Sequence, residues 1–223
     1  MDEKLKGIIV KLIEYKDADK LASIFTLEQG LVTAKFTGVK KDKAKFKATA
    51  QPFVFAEFVL NKKGKFRTVT SAEVLDNFQN LLTDYNKTIC GYIVLDIIKS
   101  ILPIEKKEED IFLLTLSALK NIEQKNEFVA TIEYILRFIS FSGMQIQLPQ
   151  IDYAYFDKFT GEFAETRGLN SQQIDKKVYQ TLKAISDEKD QEYNDTILKQ
   201  ILRMLHNVLF IKFNEDVKSF DFL

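Results

Sequence analysis

The spacing of apolar residues changes once along this chain, near Ser71, and the change divides the fold. Before it, apolar residues come in short runs broken by turn formers. Gly7-Ile8-Ile9-Val10 opens a run that ends near Tyr15 and is too short and too β-branched for a helix. A second run covers 18–26. Gly30 marks a turn, and 31–41 resumes with Val32, Thr33, Phe36 and Val39. Pro52 precedes 53–60, where aromatics interleave with small residues. Asn61-Lys62-Lys63-Gly64 has the composition of a hairpin turn, and 65–71 returns. Five short strands spaced in this way predict a small antiparallel barrel or sandwich.

After the change, Val74, Leu75, Phe78, Leu81, Leu82, Tyr85, Ile89, Tyr92, Ile93 and Ile97 recur at intervals of three and four. That period predicts a helix over 72–101, closed by Pro103. Helices are expected over 109–122 and 127–141, the second ended by Gly143. Residues 144–168 lose the period and carry Pro149, Gly161 and Gly168 among several aromatics. Asn170-Ser171-Gln172-Gln173 reads as a capped helix start, with helices at 171–186 and 191–212. The predicted class is α+β, with a strand domain over 1–73 and a helical domain over 74–223.

Charge divides at the same place. The chain has 32 basic and 32 acidic residues and no net charge, yet residues 1–70 hold 15 basic against 8 acidic ones. Between Lys35 and Arg67 ten bases face two acids, Asp42 and Glu57. Such asymmetry suits a polyanion-binding module joined to a different one, or a plain solvated lysine face.

Several chemistries are missing. There is no phosphate-binding glycine loop, no dinucleotide fingerprint and no nucleophile elbow. One cysteine, Cys90, excludes an intrachain disulfide and an all-cysteine zinc site. One histidine, His206, excludes sites that need two imidazoles and sits in a helical pattern where a structural role is expected. Acid pairs such as Glu108-Glu109 and Asp187-Glu188 fall at element boundaries, where solvated acids are ordinary. No catalytic, cofactor or metal site is read from these residues, and a hydrolase is disfavoured. Met1-Asp2-Glu3-Lys4 carries acids where a secretion signal has only bases, and no apolar run reaches the roughly 18 residues of a membrane span. A reducing cytoplasmic location, with association to the nucleoid, is the expectation.

The order of short motifs resembles the RecO family of bacterial recombinational repair proteins. Gly7-Ile8-Ile9-Val10-Lys11 is followed by Tyr15 and Ala18-Asp19-Lys20-Leu21, then Phe25-Thr26 and Gly30. The basic loop from Lys40-Lys41, Gln51-Pro52-Phe53, Thr70-Ser71-Ala72-Glu73 and the closing Lys218-Ser219-Phe220-Asp221-Phe222-Leu223 complete the series. Many members carry a four-cysteine zinc knuckle where this chain runs from Leu148 to Gly168. Here no cysteine is present, and Tyr153, Tyr155, Phe156, Phe159 and Phe163 are expected to pack that loop instead.

The resemblance implies a five-stranded OB-fold barrel followed by helices. It also implies a mediator rather than an enzyme. Such a protein binds single- and double-stranded DNA, anneals complementary strands and helps RecA displace the single-stranded-DNA-binding protein SSB. Its implied partners are RecR, the acidic SSB tail and RecA, with dependence on RecF left open. The expected DNA contacts are Lys35, Lys40, Lys41, Lys43, Lys45, Lys47, Lys62, Lys63, Lys65 and Arg67, because lysines meet phosphates without reading bases. Phe46, inside the charged run, is the expected stacking side chain, with Phe36 and Phe66 as further candidates against an ordinary core role. Arg137, Lys199 and Arg203, basic residues on apolar helices, are the candidates for the SSB tail. The alternative is a protein-binding adaptor whose basic loop meets an acidic partner without annealing DNA.

Overall fold

The structure is a computed structural model, and it describes residues 2–41, 44–62, 66–189 and 191–223. Five strands close a barrel in the order β1-β2-β3-β5-β4: β1 Asp2–Tyr15, β2 Asp19–Thr26, β3 Gly30–Phe36, β4 Phe55–Asn61 and β5 Arg67–Asp76. This is the barrel of an OB fold. The first strand makes the closure possible. Its Asp2–Ile8 portion pairs with β4, and Gly7–Tyr15 pairs with β2. Where both partners flank it, the strand carries Gly7. A Cβ there would lie 2.6 Å from Ile24 Cγ2 and 2.9 Å from the Phe25 carbonyl oxygen, so a side chain would push β2 away.

Alternation sorts the side chains. Ile9, Ile24 and Val32 face one another across three strands and point inward, joined by Leu5, Ala34, Phe36, Phe58, Leu60 and Val69 in one buried cluster. Ile8, Val10, Phe25, Leu31 and Phe53 belong instead to the core shared with the helices. One outer face of the barrel is therefore buried as well.

The helical part comprises α1 Tyr85–Ile101, α2 Glu109–Gln124, α3 Glu127–Phe141, α4 Lys176–Ser186 and α5 Asp195–Phe213. Asp84, Asn126, Asp175 and Asn194 cap four of their N-termini, each accepting from backbone N–H groups of the first turn. Helix α1 is central, with Cys90, Gly91, Ile93, Val94, Leu95, Ile97 and Ile98 all buried. It meets the barrel where Phe53 lies against Gly91 and meets the Tyr92 ring at a tilt, 4.9 Å between centres. Phe112 on α2 packs against Phe25 at 5.4 Å and Phe55 at 6.1 Å. The link from α1 to α2 returns to the barrel, where the Glu105 N–H donates to the Leu31 carbonyl at 2.9 Å.

Three expectations are corrected. The helix predicted over 72–101 begins only at Tyr85, because β5 continues to Asp76. Ala72 packs on the barrel core, and Val74 pairs with Ala56 of β4. The chain then turns at Phe78, whose N–H donates to Asp76 Oδ1, and passes through a 3-10 turn at Gln79–Leu82. The expected helix start at Ser171 is a short strand, and Asp175 caps the helix instead. The aperiodic segment is not all loop: β6 Tyr155–Asp157 pairs with β7 Glu162–Ala164 and β8 Ser171–Gln173. Phe156 and Phe163 are buried 5.1 Å apart and pack that sheet onto Tyr179, whereas Phe159 is exposed.

Candidate nucleic-acid interface

The β3–β4 connection folds over one end of the barrel, and this arranges the lysines. The Ala50 N–H donates to the Phe46 carbonyl at 2.8 Å, closing a single helical turn. Phe46 and Ala50 point inward, while Lys45 and Lys47 remain exposed. Apolar residues fill the barrel end, and the lysines beside Phe46 are left at the surface.

Lys40 ion-pairs with Glu14 at the rim. Lys45 donates through Nζ to the Thr70 carbonyl at 3.1 Å and lies 5.0 Å from the Phe46 ring centre. Lys41, Lys47 and Lys62 are exposed, and Lys35 is half-buried on β3 opposite Thr68. None of these four has an acidic partner among the described residues. Lys43, Lys63 and Lys65 lie outside the described residues. The result is a non-directional cationic rim, suited to phosphates and indifferent to base identity.

Two expected contacts are corrected. Phe46 is not a stacking surface: only 8% exposed, it meets Phe36 edge-on at 5.7 Å and plugs the barrel. Phe36 is fully buried for the same reason. Arg67 is also only 8% exposed. Its Nη1 donates to Glu105 Oε1 at 2.7 Å, its Nη2 to Gln29 Oε1 at 2.8 Å, and its Nε lies 3.4 Å from Glu3 Oε2. An arginine held by three elements ties the barrel to the α1–α2 link, and its burial keeps it from phosphate. Phe66 does sit at the surface boundary, edge-on to Tyr15 at 5.7 Å, with Lys16 Nζ 5.5 Å from the Tyr15 ring centre. Sequence reasoning missed Tyr15. The signal was present, a strand-ending aromatic followed directly by lysine.

The three candidates for an acidic tail are not gathered into one site. Arg137 on α3 pairs with Glu188 at 2.5 Å and lines a cleft of about 350 Å³ with Leu136, Ile146 and Leu148. Lys199 on α5 lies 5.1 Å from the Phe128 ring centre. Arg203, one turn further, donates to the Leu223 carbonyl at 2.8 Å. It lines a separate cleft of about 510 Å³ with Phe156, Ile174, Val178 and Met204. Of the two clefts, the Arg203 one joins a guanidinium to a mainly apolar wall.

Elsewhere the titratable groups are structural. Burial pushes the Cys90 thiol up to about 12, so it carries almost no thiolate near neutrality. Among the described residues no group of three His, Cys, Asp or Glu is placed to hold a metal ion. No helix among them is long and apolar enough to cross a membrane.

A closed barrel with a lysine rim, one outer face sealed onto a helical bundle, defines an OB-fold protein with a helical C-terminal domain. The family model described as recombination protein O N terminal matches residues 1–78, and the one described as recombination protein O C terminal matches residues 82–210. The chain belongs to the RecO family of DNA repair proteins. It is 28% identical over 149 residues to the DNA repair protein RecO of Caldicellulosiruptor saccharolyticus, covering 66% of this chain and 61% of that one. With the Clostridium novyi RecO it shares 36% over 109 residues, covering 49% and 43% of the two chains. The Clostridium acetobutylicum RecO matches at 22% over 241 residues, or 99% of this chain and 96% of that one. The first two matches thus span less than two thirds of those relatives' lengths, whereas the third is end to end.

Proposed function

We propose that this chain is a recombination mediator without catalytic activity, whose barrel rim binds DNA and anneals complementary strands. Lys35, Lys40, Lys41, Lys45, Lys47 and Lys62 supply the cations, together with Lys43, Lys63 and Lys65 of the same loops. In this reading the protein works with RecR to help RecA replace SSB, and the Arg203 cleft receives the acidic, apolar-ended SSB tail.

The observation that carries the reading is the outward projection of the loop lysines around the Phe46 plug. Annealing requires two polyanions brought together, and a non-specific cationic rim lowers their repulsion without holding either in register.

The test is annealing of SSB-coated complementary oligonucleotides, one fluorescent, across a salt series. Wild type is compared with a protein carrying Lys40, Lys41, Lys45 and Lys47 changed to Glu. Salt-sensitive annealing that the reversal abolishes supports the reading. Annealing untouched by the reversal moves the DNA site elsewhere. No annealing by either protein leaves the adaptor reading.

A further inference from the structure

Strand β5 leaves the barrel before it ends. Beyond Thr68 it keeps β4 on one side, but among the described residues no strand pairs with its other edge. From outside the ladder, Lys45 Nζ reaches that stretch of backbone at the Thr70 carbonyl, 3.1 Å away. Register shifts at Thr70 and Leu75 bracket a regular run, Ser71 to Val74, held extended by pairing with Ala56 to Val59. Ser71, Glu73 and Val74 of the run are exposed, Val74 at 43%, and Leu75 just beyond it is 47% exposed, while Ala72 packs on the barrel. Natural sheets usually blunt such an edge with lysine or proline. This strand carries neither from Thr68 to Asp76, and Lys45 reaches it only at Thr70.

Charge distinguishes what could cover it. Between Arg67 and Lys87 there is no lysine or arginine, and there are three acids, Glu73, Asp76 and Asp84. Glu123 adds a fourth by accepting the Asn80 N–H at 3.0 Å. Of the cations beside it, Lys4 is already held by Glu57 at 2.5 Å, and Lys45 donates its ammonium to the Thr70 carbonyl at 3.1 Å. Lys87 spends its ammonium on the Glu123 carbonyl at 2.7 Å. An acidic strip repels phosphates, and it repels a second copy of itself placed edge to edge.

We infer that the free edge of β5 is a strand-addition site for a basic, extended segment of a partner protein. About four residues of that segment would pair with Ser71–Val74 through backbone hydrogen bonds. Its aliphatic side chains would cover Val74 and Leu75, and its lysines or arginines would meet Glu73 and Asp76. The lysine rim touches this edge only at Thr70, before the Ser71–Val74 run, and the inference stands whether or not the rim binds DNA.

The test uses the full chain and a fluorescein-labelled eight-residue peptide of alternating lysine and valine. A second peptide has the same sequence with alternate amides N-methylated, which keeps the charge and removes the donors. Anisotropy should show saturable binding of the first peptide and at least about tenfold weaker binding of the second, since main-chain hydrogen bonds carry affinity in this mode. Val74→Lys should weaken the first peptide comparably. Should that variant fail to fold, Glu73→Gln with Asp76→Asn alters only exposed side chains and should weaken it too. No binding overturns the inference, as does equal binding of both peptides, which would mean charge alone. Sedimentation showing self-association that Val74→Lys removes would assign the edge to a second copy and overturn it as well.

Discussion

The Arg67 guanidinium stands 2.7 Å from the Glu105 carboxylate, joining the start of β5 to the link between α1 and α2. The contact fixes where the barrel sits on the helices, because the same arginine also reaches Gln29 and Glu3. Glu105 is itself largely exposed and can regain water when its partner is lost. Arg67→Met should therefore destabilise by about 1–3 kcal/mol, below the cost of orphaning a fully buried charge. Urea unfolding measures this. The salt slope of DNA binding should stay unchanged, because Arg67 does not face phosphate.

Phe46 and its lysine neighbours should separate stability from binding. Phe46→Ala opens a cavity at the barrel end and should cost about 3–5 kcal/mol, read from the urea midpoint. Lys45→Ala and Lys47→Ala, at exposed positions, should each stay within about 0.5 kcal/mol of wild type. Each lysine lost should lower the salt slope of single-strand binding by roughly 0.7.

Gly91 is required by close approach. A Cβ there would lie 2.8 Å from Phe53 Cε1. Gly91→Ala should destabilise by about 1–3 kcal/mol through overpacking, despite the better helix propensity of alanine. Phe53→Leu should absorb part of that cost, so a double-mutant cycle should give non-additive changes.

Gly30 meets a harder limit. Its φ is +71°, and a Cβ would stand 1.8 Å from the Lys106 carbonyl oxygen. Gly30→Ala must displace the α1–α2 link, and thermal unfolding should show a larger loss than for Gly91→Ala.

Acid should loosen the C-terminal turn. Lys218, and then His206 at 3.1 Å, hold the Asp216 carboxyl below its ordinary value of 3.8. A depressed carboxyl contributes stability that is complete above its unfolded pKa and is lost as pH falls through the folded one. Melting temperature should therefore drop less steeply below pH 4 in Asp216→Asn than in wild type. The two profiles should run parallel above about pH 6, where Asp216 is ionised in both the folded and the unfolded chain.

The barrel and three of the helices were legible because their signals are local. Glu109 to Ile122 and Glu127 to Phe141 read as helices from their apolar period, the second stopped by Gly143, and the structure extends the first only to Gln124. The stretch from Val74 to Phe78 misled because its spacing satisfies a helix while its pairing partner, Ala56, lies in another strand. Charge made the lysine rim visible but could not separate Lys47 from Arg67. Both are basic residues beside aromatics, and only the fold brings Glu3, Gln29 and Glu105 around the second. Phe46 failed for the converse reason: polar neighbours in sequence conceal an inward turn.

The double pairing of β1 has a consequence for synthesis. The chain leaves the ribosome N-terminus first, so β1 emerges with one partner close behind it and the other still untranslated. A hairpin with β2 is available early. The Asp2–Ile8 half must then wait, unpaired, until the whole β3–β4 connection has passed and β4 arrives. Barrel closure is thus the long-range, slow event of this domain. During that interval the nascent chain exposes the Leu5 and Ile8 segment, the window in which a chaperone would matter most.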